Sequence, residues 1–200
     1  PESSDGKLYN SLAVVDQGKL LATYRKQCLP NYQVFDERRY FQAGNQPCVL
    51  EIHGLRLGFT ICEDLWEEMP TQQFEHQSLD LLLNINASPF HRGKACERRQ
   101  LLKRRAQAIG APIAYVNLVG GQDELVFDGG SLAVDSVGNA VVQAPQFEAG
   151  LYPAVFKRSS SGRYEPACVS CATQPSDLAQ VYKALTIGVR DYVTKNGFKG

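Results

Sequence analysis

Residues 79–85 read Leu-Asp-Leu-Leu-Leu-Asn-Ile. A run this apolar and this short fits a strand buried on both faces of a sheet. Gly93 to Ile109 follows with a helical pattern and stops at Gly110, the residue type that closes helices with a left-handed turn. Pro112 to Leu118 is then a second buried strand. A sheet that needs cover on both sides follows, and the rest of the chain has to supply that cover.

Hairpins supply more strands. Residues 11–23 carry two apolar stretches around Asp16-Gln17-Gly18, and residues 48–61 carry two more around His53-Gly54. A third hairpin spans 131–143 around Ser136-Val137-Gly138-Asn139, and Leu151 to Phe156 adds a further strand. Residues 24–47, with Pro30, Gly44 and Pro47, read as a long ordered loop, and a helix is expected from about Leu65 to Gln77. Strands alternating with helices, mixed with antiparallel hairpins, predict an α/β fold with a mixed sheet covered by helices.

The composition changes at Ser159-Ser160-Ser161-Gly162, and polar sequence runs to Pro175. Residues 159–176 read as a linker between a domain at 1–158 and the first helix of a second domain at 177–200. In that helix Leu178, Val181, Tyr182, Leu185, Val189 and Tyr192 follow the 3–4 spacing of an amphipathic face, with Ser176 as a cap. The first residue is Pro1 rather than Met, and Gly200 directly follows a helical pattern, so the chain is expected to be a piece of a longer protein.

Formal net charge is zero, with 44% hydrophobic and 21% charged residues. That balance speaks against nucleic acid or an anionic membrane as a partner. No apolar run reaches the roughly 18 residues of a membrane span. Six irregularly spaced cysteines without a secretory signal point to reduced thiols and a cytoplasmic setting. Cys168-x-x-Cys171 is half a zinc site, but no second pair or nearby histidine completes it, so no metal is expected. Lys94, Arg98, Arg99, Lys103, Arg104 and Arg105 read as a solvated helix face. His53 and His76 read as surface residues, and His91 lies near the proposed pocket. No Gly-rich phosphate loop is present. Gly120-Gly121 and Gly129-Gly130 serve turns and close backbone approach.

Gly58-Phe59-Thr60-Ile61-Cys62-Glu63-Asp64 places a cysteine where a buried strand ends and a helix is due to begin. That position exposes a side chain, offers free backbone N–H groups to an oxyanion, and favours a thiolate. A buried structural cysteine is the competing reading. Lys26, in Tyr24-Arg25-Lys26-Gln27-Cys28-Leu29-Pro30, taken alone reads as a solvated loop charge.

Taken together these segments resemble the nitrilase, or carbon–nitrogen hydrolase, superfamily. Lys26-x-x-Leu29-Pro30, Phe35-Asp36-Glu37-Arg38-Arg39-Tyr40-Phe41 and Cys62-Glu63-Asp64 carry the likeness. Pro30-Asn31-Tyr32, Asn86-Ala87-Ser88-Pro89-Phe90 with Lys94, and Ala184-Leu185-x-x-Gly188-x-x-Asp191-Tyr192 narrow it to the glutaminase domain of glutamine-dependent NAD synthetases. The resemblance implies an αββα sandwich and a Glu-Lys-Cys triad. It implies Cys62 as nucleophile, Lys26 as its ammonium partner and Glu37 as a supporting glutamate. The catalytic glutamate itself matches no residue of this chain. Positions for glutamine are Tyr32, Glu63, Trp66, Ser88 and Lys94, where relatives can carry Arg in place of Lys94. The implied glutaminase step uses no cofactor. Its ammonia serves a synthetase domain that takes deamido-NAD and ATP with Mg, in a homo-oligomer. The alternatives are a stand-alone amidase or nitrilase and an inactive scaffold of the same fold.

Overall fold

A computed structural model describes residues 2–4, 6–32, 34–160 and 162–198. Its centre is a seven-stranded mixed sheet in the order Ser170–Cys171, Ala140–Gln143, Leu132–Val134, Ile113–Asn117, Leu81–Asn86, Leu55–Ile61, Cys48–Ile52. Leu81–Asn86 runs parallel to both of its neighbours, which buries it at the middle. Hairpins extend the sheet antiparallel at either side.

The two faces of this sheet carry different cover. On one, the helix Lys94–Ile109 lays Leu101, Leu102, Ala106 and Ile109 against Leu82, Ile113, Tyr115 and Val134. On the other, the hairpin Ser11–Asp16 with Lys19–Arg25 packs Leu12, Val14 and Tyr24 onto Phe59 and Ile61. Helix, sheet and hairpin therefore stack as successive layers, and Cys62 lies where the second interface ends.

Turns form at both expected places, the first narrowed from Asp16-Gln17-Gly18 to two residues because Asp16 pairs with Lys19. Gln17-Gly18 and His53-Gly54 have positive φ at each residue, the geometry that matches the twist of a hairpin. In the third hairpin Asp135 Oδ1 accepts from the N–H groups of Val137 and Asn139 at 3.0 and 2.8 Å.

Four expectations change. The helix placed at 65–77 is a 3-10 turn, Cys62–Leu65, and a short helix, Glu68–Gln72. Glu67 takes extended backbone between the two pieces, and His76 takes left-handed backbone, both of which a continuous helix forbids. The loop 24–47 holds a one-turn helix at Glu37–Tyr40. The strand placed at 151–156 is instead Phe156–Arg158, paired with Tyr164–Pro166. Residues 159–176 also contain Ser170–Cys171, which joins the main sheet. A hairpin not expected from the sequence, Val119–Gln122 with Leu125–Asp128, stands beside the sheet.

The last helix, Asp177–Lys195, begins at Ser176, whose hydroxyl accepts from the N–H of Ala179. It rests on that unexpected hairpin through Ala184, Ile187 and Asp191, not through its apolar stripe. Leu178 is 81% exposed, and Tyr182, Leu185, Val189 and Tyr192 are exposed with it. The reason is steric. A Cβ on Gly121 would lie 3.1 Å from Gly188 Cα, so only the small-residue side of the helix fits the glycine-paved surface. Among the described residues no helix is long and apolar enough to cross a membrane.

Candidate active site

Lys26 follows the strand Lys19–Arg25 and is fixed on both backbone sides. Its N–H donates to Asn10 O at 2.8 Å, and its carbonyl accepts from Gly44 N at 2.8 Å. Gly44 must lack a side chain, since a Cβ there would meet Arg25 O at 2.3 Å. The Lys26 side chain is 2% exposed, with Nζ 2.5 Å from Glu37 Oε1. The other oxygen of Glu37 accepts from Asn10 Nδ2 at 3.2 Å. A buried ammonium is tolerable only with such a partner.

Asp64 joins this segment to the cysteine. It is fully buried and accepts four hydrogen bonds. Gln27 N and Cys28 N reach Oδ1 at 3.0 and 2.7 Å, while Tyr24 Oη and Ile61 N reach Oδ2 at 2.8 and 3.1 Å. Two of these donors sit just past Lys26 and one just before Cys62, so one carboxylate holds the two chain segments side by side. Burial pushes the Asp64 carboxyl up, and the donated hydrogen bonds offset this only in part.

Cys62 ends its strand with φ of 44°, in the left-handed region that disfavours side chains. Four ionic and polar neighbours act on its thiol in addition to burial. Burial pushes it up, the Lys26 ammonium pulls it down, Glu63 and Glu37 push it up, and a backbone hydrogen bond at Ala87 lowers it. The net shift is upward.

A cavity of about 350 Å³ opens at this sulfur. Cys62, Tyr32, Glu63, Trp66, Ser88 and Lys94 all stand on its wall. Tyr32 donates its hydroxyl hydrogen to Glu63 Oε1 at 2.8 Å. Burial and this carboxylate raise the Tyr32 phenol. Lys94 Nζ lies 3.7 Å from the centre of the Trp66 ring and 3.3 Å from Glu97 Oε2. His91 also borders the cavity. Lys26 and Glu37 do not line it; they bear on Cys62 from within the protein. Four larger cavities, of about 680, 750, 410 and 380 Å³, contain neither Cys62 nor Ser88.

The sequence reading had not singled out Asp64, Asn10, or the buried pair of Arg98 and Asp128. Asp64 stood inside the Cys62-Glu63-Asp64 motif, and its position two residues past the cysteine was the available signal. The basic cluster on Lys94–Ile109 is not one solvated face. Arg98 is buried against Asp128, Arg99 donates to Gln143 Oε1 at 2.7 Å, and Arg105 donates to the carbonyls of Leu65 and Trp66. Periodicity could not reveal this, because their acceptors lie 39 to 44 residues away for Arg105 and Arg99. Among the described residues no group of three or more His, Cys, Asp or Glu is placed to hold a metal. All six cysteines are free thiols.

The family model for carbon–nitrogen hydrolases matches residues 1–165. The chain is 38% identical over 199 residues to the glutamine-dependent NAD(+) synthetase of Acinetobacter baylyi, an alignment covering 100% of this chain and 36% of that protein. The solved glutamine-dependent NAD+ synthetase of Acinetobacter baumannii, in complex with ADP, superposes with a TM-score of 0.92 at 41% identity. That match covers 100% of this chain and 38% of the other. An amidase variant from Nesterenkonia sp. AN1, showing covalent addition of the acetamide moiety of fluoroacetamide at its active-site cysteine, superposes with a TM-score of 0.60 at 30% identity. It covers 68% of this chain and 49% of its own. The chain thus spans a little over a third of the length of the synthetases it matches.

Proposed function

The chain belongs to the carbon–nitrogen hydrolase family, and on that footing we propose that it hydrolyses the side-chain amide of glutamine, with Cys62 as the nucleophile. The observation that carries the reading is one small cavity in which Cys62 meets a carboxylate, an ammonium and a hydroxyl, from Glu63, Lys94 and Ser88. Free glutamine offers an α-ammonium, an α-carboxylate and an amide. Glu63, already the acceptor for Tyr32, suits the α-ammonium. Ser88 and Lys94 suit the α-carboxylate, and Trp66 packs beside the aliphatic part.

The Cys62 sulfur attacks the amide carbon, and the C–S bond forms as a tetrahedral oxyanion develops. The Lys26 ammonium and the Glu63 backbone N–H stabilise that charge. The C–N bond then breaks, the thiol proton passes through a general base to the nitrogen, and ammonia leaves a γ-glutamyl thioester. Water attacks the thioester, which releases glutamate and restores the thiol. Glu37 keeps Lys26 in place throughout. The general base is a glutamate that we place outside residues 1–200, because no residue here takes its place by motif.

The ammonia serves the ATP-dependent conversion of deamido-NAD to NAD, as the names of the related synthetases suggest. In this scheme ATP and Mg serve the synthetase portion, and the related synthetase is solved with ADP. On this reading residues 1–158 are the glutaminase portion, 159–176 the connection, and 177–200 the start of the synthetase portion. The working form is a homo-oligomer in the cytoplasm.

The test uses the full-length protein with glutamine labelled with ¹⁵N in its side-chain amide, together with ATP and deamido-NAD. The label is expected in the carboxamide of NAD. Hydrolysis of simple aliphatic amides or nitriles in preference to glutamine would favour the stand-alone amidase reading instead.

A further inference from the structure

The wall of the cavity is shaped by a charge that never reaches it. Arg98, in the second turn of the helix Lys94–Ile109, is 3% exposed and faces Asp128, which is 0% exposed. Its Nη1 donates to both oxygens of Asp128, at 2.8 and 2.9 Å. Gln146 Nε2 donates to the same carboxylate at 2.8 Å. The other arm, Nη2, donates to the Ser88 carbonyl at 2.9 Å and to the Ser88 hydroxyl at 3.3 Å. Asn117 completes the frame, accepting from Ser88 N at 2.9 Å and donating to Ser88 O at 3.3 Å.

A buried ion pair is a poor choice for stability alone, because desolvation consumes most of its Coulombic gain and an apolar pair of similar volume does as well or better. What an apolar pair cannot do is direct a hydroxyl. A serine oxygen that accepts from a guanidinium must point its own hydrogen elsewhere. With Arg98 donating to Ser88 Oγ from the interior, the serine hydrogen turns toward the cavity that Ser88 lines.

We propose that Arg98 is a positioning residue that, anchored by Asp128, turns the Ser88 hydroxyl into a donor aimed at the carboxylate of the substrate. This rests on the glutamine reading above. It makes Arg98 a determinant of which amides are accepted: those carrying an anionic group next to the chain that ends in the amide.

The experiment compares glutamine with 4-aminobutyramide, which is glutamine without its carboxylate, in the full-length protein and its Arg98→Lys and Ser88→Ala variants. Lysine keeps the charge but cannot span Asp128 and Ser88 at once. The ratio of kcat/KM for glutamine to that for 4-aminobutyramide is expected to fall by roughly ten- to hundredfold in each variant, the loss typical of one hydrogen bond to a charged group. The double variant should fall no further than the worse single one. If Arg98→Lys does not fold, Asp128→Asn, which removes the charge that anchors the guanidinium, carries the same comparison. A wild-type protein that hydrolyses glutamine, with variants that lose both amides by equal factors, overturns the assignment alone. A wild-type protein that leaves glutamine intact overturns the functional reading and the assignment with it.

Discussion

The Tyr24 hydroxyl donates to Asp64 at 2.8 Å, from the strand that leads to Lys26 into the turn that begins with Cys62. The two residues are 40 positions apart, and both are buried. This bond and its three companions set a loop lysine beside a strand-end cysteine. Tyr24→Phe removes one of the four and is expected to cost about 1–2 kcal/mol. Asp64→Ala orphans several buried donors at once and is expected to cost about 3 kcal/mol or more. Urea midpoints at constant m-value check both. Equal midpoints for wild type and Asp64→Ala would contradict the role given to Asp64.

Lys26 and Glu37 act on the Cys62 thiol with opposite signs, Lys26 lowering its pKa and Glu37 raising it. Alkylation of Cys62 should therefore rise with pH to a half-point above the usual thiol range. Lys26→Met should move that half-point further up and slow alkylation at any fixed pH below it. Stopped-time iodoacetamide labelling, read by mass spectrometry of the Cys62 peptide, gives the profiles. A profile untouched by Lys26→Met would show that the ammonium does not govern the thiol.

Trp66 is the only tryptophan in the chain, and Lys94 sits over its ring. Its emission is thus a reporter placed in the cavity wall. Titrating glutamine into the Cys62→Ala variant of this chain should change Trp66 fluorescence saturably. Lys94→Met should alter the starting spectrum and weaken the titration. No change on adding glutamine would argue that the cavity does not take it.

Asp191 holds the last helix to the glycine hairpin by accepting from Gly121 N at 2.7 Å. Burial pushes its carboxyl up, but the Gly121 N–H and the Arg190 and Lys195 charges prevail and hold it below the usual carboxylate value of 3.8. A depressed carboxylate contributes stability above its unfolded pKa and loses it as pH falls through the lower folded value. The contact should therefore persist at neutral and mildly acidic pH and loosen only below pH 3.8. Asp191→Ala, which removes the acceptor, should expose the Gly121 amide to hydrogen exchange already at pH 7. Unchanged protection of Gly121 in that variant would contradict the clasp.

Much of the sheet was legible because its signals are local. The apolar run at Leu81–Asn86 and the turns at Gln17-Gly18 and His53-Gly54 are written in adjacent residues. The helix expected at 65–77 failed because period alone does not register the extended backbone at Glu67 or the left-handed backbone at His76. The stripe of Asp177–Lys195 was legible as apolar, but which residues of the helix touch this chain was not, since that contact is made at Gly120 and Gly121, some 60 residues upstream. The residues proposed for chemistry came from motif, and motif carries no distance. Asp64 and Arg98 escaped because their partners are long-range, and a lone buried charge has no signature until its counter-ion is located.

The most direct test of the account is covalent. The full-length protein is treated with a glutamine analogue bearing a diazoketone in place of its amide, with and without excess glutamine, and the adduct is mapped by peptide mass spectrometry. The expected result is one adduct, on Cys62, suppressed by glutamine. An adduct on the exposed thiols Cys96, Cys168 or Cys171 with Cys62 unmodified would contradict it.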